Sequence, residues 1–233
     1  MIIRTIFFSL AALTLLTVSC TTHPAVNFDN HLTDDFFCFK DKLLKRIYGF
    51  GQLAVSVDGR RYNGSIDIDW KNDFFNASAY SPFGGLVASI DADSLQGKIS
   101  DGKSSNHFFL DSVVDSIPFI VVQDLTFRDF ICILTGRVPQ SFNILSQAPD
   151  SVAQGRRVSR LFWRVDSMEI VAQIQNKSSQ LTRLSVQNTR NQGWSLIFNG
   201  INQQLAQSIE LRIDDRNYFS IHYERLKKES LKS

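Results

Sequence analysis

The chain has 233 residues and a formal net charge of +2, with 43% hydrophobic and 21% charged residues. That make-up describes a folded globular protein and not a disordered tail, and so small a net charge argues against a dedicated nucleic-acid binder, which concentrates basic residues on one face. Phenylalanine is the outlier, 19 of them against five prolines and two methionines, so the chain either builds a thick core or lines an apolar cavity.

The first residues, MIIRTIFFSLAALTLLTVSC, place Arg4 before an uncharged apolar run from Thr5 to Val18. A positive start, an apolar run and a small residue ahead of a cleavage point make a signal peptide, and the run is short for a membrane span. Its end, Thr17-Val18-Ser19-Cys20, resembles a bacterial lipoprotein cleavage box, although leucine is commoner in the place of Thr17. The resemblance implies residues 1–19 as a lipoprotein signal peptide and Cys20 as the acylated first residue of the mature chain. Because Thr21 is not aspartate, no inner-membrane retention signal follows, and an outer-membrane anchor with the domain facing the periplasm is expected. Of the remaining cysteines, Cys38 and Cys132 sit in the apolar contexts FFCF and FICIL. They can form one bridge in an oxidising compartment or stand as buried thiols.

Residues 20–31 carry no periodicity and read as a tether, leaving a single domain over 32–228 and a polar tail over 229–233. Leu32, Phe36, Phe39, Leu43 and Ile47 recur at helical spacing with Thr33 as N-cap, which predicts a helix over Leu32–Tyr48. Period two then begins: Leu53, Val55 and Val57 run up to an Asp58-Gly59 turn, and Ile66, Ile68 and Trp70 return on one face. After a turn at Lys71–Asp73 and the strand FFNASAY comes SPFGG, a turn with Phe83 at its tip. Either Phe83 folds back over the sheet edge or it stands out to touch something apolar.

Leu86, Ala88 and Ile90 alternate again, and Leu95–Ser100 pairs back before Asp101-Gly102. Phe109, Val113 and Ile117 in FFLDSVVDSI suggest a short helix ended by Pro118. A better-signed helix follows, with Thr126 and Asp129 as a capping box, Phe127, Phe130, Ile131 and Leu134 as its stripe, and Gly136 at its stop. Residues 140–158 are polar and read as a loop, after which alternation resumes from Met168 to Tyr223. The strands number about ten, with no crossover helix between successive pairs. An α+β, mainly β architecture follows: an incomplete, half-closed antiparallel barrel with a helical plug or lid.

No HExxH, GxSxG, CxxC or glycine-rich phosphate loop is present, and the four histidines are scattered. Asp67 and Asp69 lie two apart on what reads as the wet face of a strand. No enzymatic activity, cofactor or metal is expected.

Taken in order, the cleavage box, the N-terminal helix, FGQLAVSVDG, the strand ending in Trp70, the SPFG loop and LTFRDFICILTGRVP resemble the LolB family of outer-membrane lipoprotein receptors. The likeness runs from about residue 36 to 225 and is strongest over 49–139. It implies the LolA/LolB-like half-barrel, acyl chains of lipoproteins as cargo, a LolA-like periplasmic carrier and outer-membrane lipid as partners, and a monomer. It also implies that Phe83, between Pro82 and Gly84, is the loop residue that enters the membrane. Expected cavity-lining positions are Leu53, Val55, Ile66, Ile68, Trp70, Leu86 and Ile90 from the strands, with Phe127, Phe130, Ile131 and Leu134 from the helix. Those residues can equally pack together as a solid core. A lipoprotein of the same fold that binds another lipid or glycolipid, or that serves as a structural partner in the envelope, is the alternative.

Overall fold

A computed structural model of the protein describes residues 44–71, 73–112, 125–139, 148–188, 194–202, 205–213 and 217–230. The expected signal peptide, Cys20, the tether and Cys38 lie outside these residues. The described chain forms strands β1 (Leu44–Val57), β2 (Arg60–Lys71), β3 (Phe74–Tyr80), β4 (Leu86–Ala92), β5 (Gln96–Ser100) and β6 (Ser105–Phe109), then helix α1 (Phe127–Leu134). Strands β7 (Ser151–Gln154), β8 (Val158–Val165), β9 (Met168–Gln175), β10 (Gln180–Asn188), β11 (Ser195–Asn202), β12 (Leu205–Arg212) and β13 (Tyr218–Ser230) follow.

All thirteen strands join one antiparallel sheet in the order β6-β5-β4-β3-β2-β1-β13-β12-β11-β10-β9-β8-β7. Two meanders are thus stitched together by the pairing of β1 with β13, and the sheet stays open between β6 and β7. The β1–β2 hairpin turns as its sequence dictates: Asp58 and Gly59 take φ of 51° and 78°, the left-handed pair that suits strand twist. On the inner face Ile66, Ile68 and Trp70 are buried and continue into Phe75 and Ala77 of β3. The same face carries Ile170, Ala172, Leu184, Val186, Leu196, Phe198, Ile209, Leu211 and Ile221 of the second meander.

Helix α1 lies against this face. Thr126 accepts from the Asp129 amide at 3.1 Å and the Asp129 carboxylate accepts from the Thr126 amide at 3.0 Å, so the expected capping box forms. Gly136 follows the C-cap at φ 72°, where a side chain would be strained. Phe127 stacks on Phe108 with ring centroids 5.6 Å apart, and Phe130 meets Phe219 at 6.0 Å. At the far end of the helix the buried Tyr223 hydroxyl donates to the Leu134 carbonyl, and burial pushes its phenol far above the usual tyrosine range. Tyr223→Phe removes the donor to that carbonyl; a loss of about 1–3 kcal/mol in urea unfolding is expected. Unchanged stability would show that the bond contributes nothing.

Four sequence expectations change. Residues Leu44–Tyr48 belong to β1 and not to a helix: Ile47, Gly49 and Gly51 face inward, alternating with Arg46, Tyr48 and Phe50. The two glycines hid this period, having no side chain to mark the inner face. They are small because a Cβ on Gly49 would meet Leu226 Cδ1 at 2.7 Å and one on Gly51 would meet the His222 carbonyl at 2.5 Å. The rest of that expected helix, residues 32–43, lies outside the described residues. Phe108 and Phe109 close β6, drawn out by pairing with β5 (Gly97 opposite Phe108) and not by helical spacing. Residues 113–124, and with them Pro118, lie outside the described residues. The stretch read as a loop to 158 contains β7 and the first residue of β8. Finally, β13 continues to Ser230, so the polar tail begins inside a strand.

Cys132 is fully buried and disulfide-bonded. Its partner is outside the described residues.

Candidate functional site

The turn between β3 and β4 is built by its backbone. The Gly84 amide donates to the Ser81 carbonyl at 2.9 Å, the Ser81 amide donates to the Gly85 carbonyl at 2.8 Å, and Gly84 sits at φ 80°. Pro82 presets the first corner and Gly84 supplies the left-handed residue that closes the hairpin. None of these bonds uses a side chain of Phe83, which is 98% exposed. Leu86 and Val87 beside it are also exposed, so the tip carries three apolar side chains in water.

Immediately inside this end of the sheet lies a half-open cavity of about 180 Å³. Leu53, Val55, Ile66 and Ile90 line it from the sheet, and Phe130 and Leu134 line it from α1. Asp101, Ser104 and Asn106 give it one polar rim. Other residues expected at the lining lie elsewhere: Ile68, Trp70, Phe127 and Ile131 are buried in the packed core and border no part of this cavity. Leu86 is a correction. The alternation breaks before Ala88: a register shift separates the Ala79–Ala88 pair from the Tyr80–Leu86 pair, so Leu86 stands opposite Tyr80 beside the turn and 58% of it is exposed.

Sequence reasoning missed what makes the space. Ala77 and Ala79 of β3 and Ala88 of β4 all face the cavity, and Ala79 pairs directly with Ala88. Three inward positions on adjacent strands that carry only a methyl leave a hole between sheet and helix. The signal was present in FFNASAY and LVASI as small residues where large ones were expected.

The outer face is polar. Asp69 takes two bonds of 2.7 Å from the Arg46 guanidinium, a fork-on-fork pair that accounts for one of the two carboxylates on this strand face. Among the described residues no group of three or more His, Cys, Asp or Glu side chains is placed to hold a metal, and no helix is long and apolar enough to cross a membrane.

No protein-family model matches the chain, and no curated protein matches it. Among solved structures, the chain is similar to a DUF1329-family protein from Desulfovibrio piger, with a TM-score of 0.52, 8% identity, and coverage of 82% of this chain and 89% of that one. Lower-scoring likenesses are to a domain described as an outer membrane lipoprotein-sorting protein from Vibrio parahaemolyticus and to a LolA-superfamily protein from Nitrosomonas europaea. The first has a TM-score of 0.47 at 8% identity, covering 81% of this chain and 87% of that one. The second has a TM-score of 0.48 at 7% identity, with 82% and 89% covered. At such identity the first likeness concerns the fold alone, and the other two score too low to support an argument.

Proposed function

We propose that this is an outer-membrane-anchored lipoprotein that accepts the acyl chains of other lipoproteins from a soluble LolA-like periplasmic carrier and places them in the outer membrane, without catalysing a reaction. The observation that carries the reading is the joint placement of Phe83, exposed at the tip of a turn that does not depend on its ring, and an apolar cavity at the same end of the sheet. The cleavage box at Thr17–Cys20 supports the anchor, and the disulfide at Cys132 agrees with an oxidising compartment.

The half-closed barrel with a helical plug belongs to the same reading. An eight-residue helix is about 12 Å long, yet α1 touches β6 through Phe108 and β13 through Tyr223. In a flat sheet six strand spacings would separate those strands by about 29 Å, so the contacts favour a sheet curled round the helix.

Energetics explain why no nucleotide is needed. Exposing one methylene to water costs about 0.8 kcal/mol, so three chains of roughly 14 methylenes would cost on the order of 30 kcal/mol. Transfer between two apolar hosts avoids that term. At about 180 Å³ the cavity holds roughly six waters' volume, so full acceptance requires α1 or the sheet edge to move outward. The same size favours a second reading, in which one chain of another lipid or a glycolipid is the ligand.

Depletion in the native bacterium separates the two. Lipoproteins stalled on a soluble carrier are expected for the receptor. Normal sorting, with a phospholipid or glycolipid co-purifying, would replace it by the second reading.

A further inference from the structure

The end of the sheet opposite Phe83 has apolar side chains of its own. Two Phe-Phe pairs end here, and each splits: Phe75 and Phe108 are buried, while Phe74 is 68% and Phe109 72% exposed. Leu95, in the turn between β4 and β5, is 75% exposed. Strand register brings them together. Arg46, Lys71 and Phe74 form one row across β1, β2 and β3, and Gln96 and Phe109 end β5 and β6 at the matching level, two residues beyond Lys98 and His107.

Next to that row the outer face is dished, with a volume of about 390 Å³. A second row crosses it, Asp69–Asn76–Asp91–Lys98–His107, each residue paired with the next on adjacent strands. The charges here are of both signs. Lys71 and Lys98 make no ion pair among the described residues. Asp91 accepts from the Asn76 amide at 2.6 Å and Asp93 accepts from the Leu95 and Gln96 backbone amides. Those two amides, Gln96's above all, hold the Asp93 carboxyl below the usual range, so it stays charged.

From these features we infer that the dish and its three-residue apolar lip form a docking surface for a membrane of zwitterionic phospholipid. Phe74, Leu95 and Phe109 would enter the interfacial layer, the lysines would meet the lipid phosphate and Asp91 and Asp93 the ammonium group. Two facts favour a membrane as the occupant. A mixed-sign row suits a headgroup that bears both charges, and the N-terminal chain enters β1 at this same end, at Leu44. An anchor at Cys20, which rests on the function proposed above, would lead into the domain at the end that carries the lip. Phe83 stands at the other end of β3, roughly 20 Å of strand plus the turn away. Docked this way, it points away from the anchoring membrane. Residues 20–43 fully extended reach about 80 Å, enough for the domain to turn over.

The test is co-flotation of the mature chain from residue 20, with Cys20→Ser so that no acyl group is attached, on phosphatidylethanolamine/phosphatidylcholine vesicles. The unaltered surface should float. Phe74→Ser with Phe109→Ser should lower vesicle partitioning at least about tenfold, since each loses most of a buried aromatic's transfer free energy. Lys71→Gln with Lys98→Gln should lower it about fivefold or more, and Val152→Ser on β7, at the other edge of the sheet, should change it less than twofold. The inference is overturned by any of three results: no flotation of the parent, flotation of both double variants equal to the parent's, or binding only to anionic vesicles that vanishes at high salt. Flotation lost only with Phe83→Glu would overturn it too while leaving the proposed delivery function standing.

Discussion

Phe83→Glu should abolish lipoprotein delivery while leaving the fold and its thermal midpoint unchanged. The side chain is 98% exposed, and the turn is held by bonds among Ser81, Gly84 and Gly85, none of which uses the ring. Nothing in the folded state depends on the ring, so a stability change within about 0.5 kcal/mol is expected. The functional change should be large. A phenylalanine entering the bilayer gains about 1.5–3 kcal/mol, whereas a carboxylate near the hydrocarbon costs about 2.5–3.5 kcal/mol. The difference of about 4–6 kcal/mol corresponds to a fall of at least about a thousandfold in membrane engagement. In cells complemented by the variant, lipoproteins should accumulate on their carrier, and Phe83→Leu should restore sorting. Wild-type sorting with glutamate at this position would remove the basis of the proposed mechanism.

The parts of the fold governed by local chemistry could be read from the chain. Asp58-Gly59 forces a hairpin because both residues can adopt left-handed backbone, and Thr126 with Asp129 caps a helix because each satisfies an amide the helix leaves bare. Alternation over Ile66, Ile68 and Trp70 survived into the structure because one face of β2 is dry and the other wet. The misses have equally local reasons. At Gly49 and Gly51 close approach of β13 demands no side chain, so the inner face of β1 left no apolar mark, and a chance i, i+4 spacing between Leu43 and Ile47 read as helix. Strand β7 is exposed along its whole length and owes its existence to pairing with β8, which no pattern within SVAQ announces.

The site was half legible. The turn chemistry of Pro82 and Gly84 singled out Phe83, but the sequence left open whether the ring would be covered. The cavity was sought where large inward residues stand. Leu53, Val55, Ile66, Ile90, Phe130 and Leu134 do border it, but the space is opened by the alanines of β3 and β4, while Ile68, Trp70, Phe127 and Ile131 fill the volume near them. Hydrophobic pattern reports which face is dry and not whether the dry volume is occupied.

That difference yields the second large prediction. Ala79→Leu combined with Ala88→Leu should eliminate binding of a fatty-acyl probe while holding or raising stability. The two residues pair across β3 and β4, and both face the 180 Å³ cavity. A sealed, dry void of that size would cost about 4 kcal/mol at 24 cal/mol per Å³. Opening to solvent reduces the figure, but lining atoms still lack partners that two isobutyl groups can supply. If the void is an accident of packing, filling it should raise the unfolding midpoint with no functional consequence. If the void is where an acyl chain first enters, the same leucines occupy the place of its methylenes, each worth about 0.8 kcal/mol to the chain. Losing three or four such contacts weakens probe binding by roughly a hundredfold, and delivery should fail although Phe83 is intact. Measuring probe affinity and urea unfolding on the same double variant decides the matter: full affinity in a filled, stable protein would mean that acyl chains bind somewhere else.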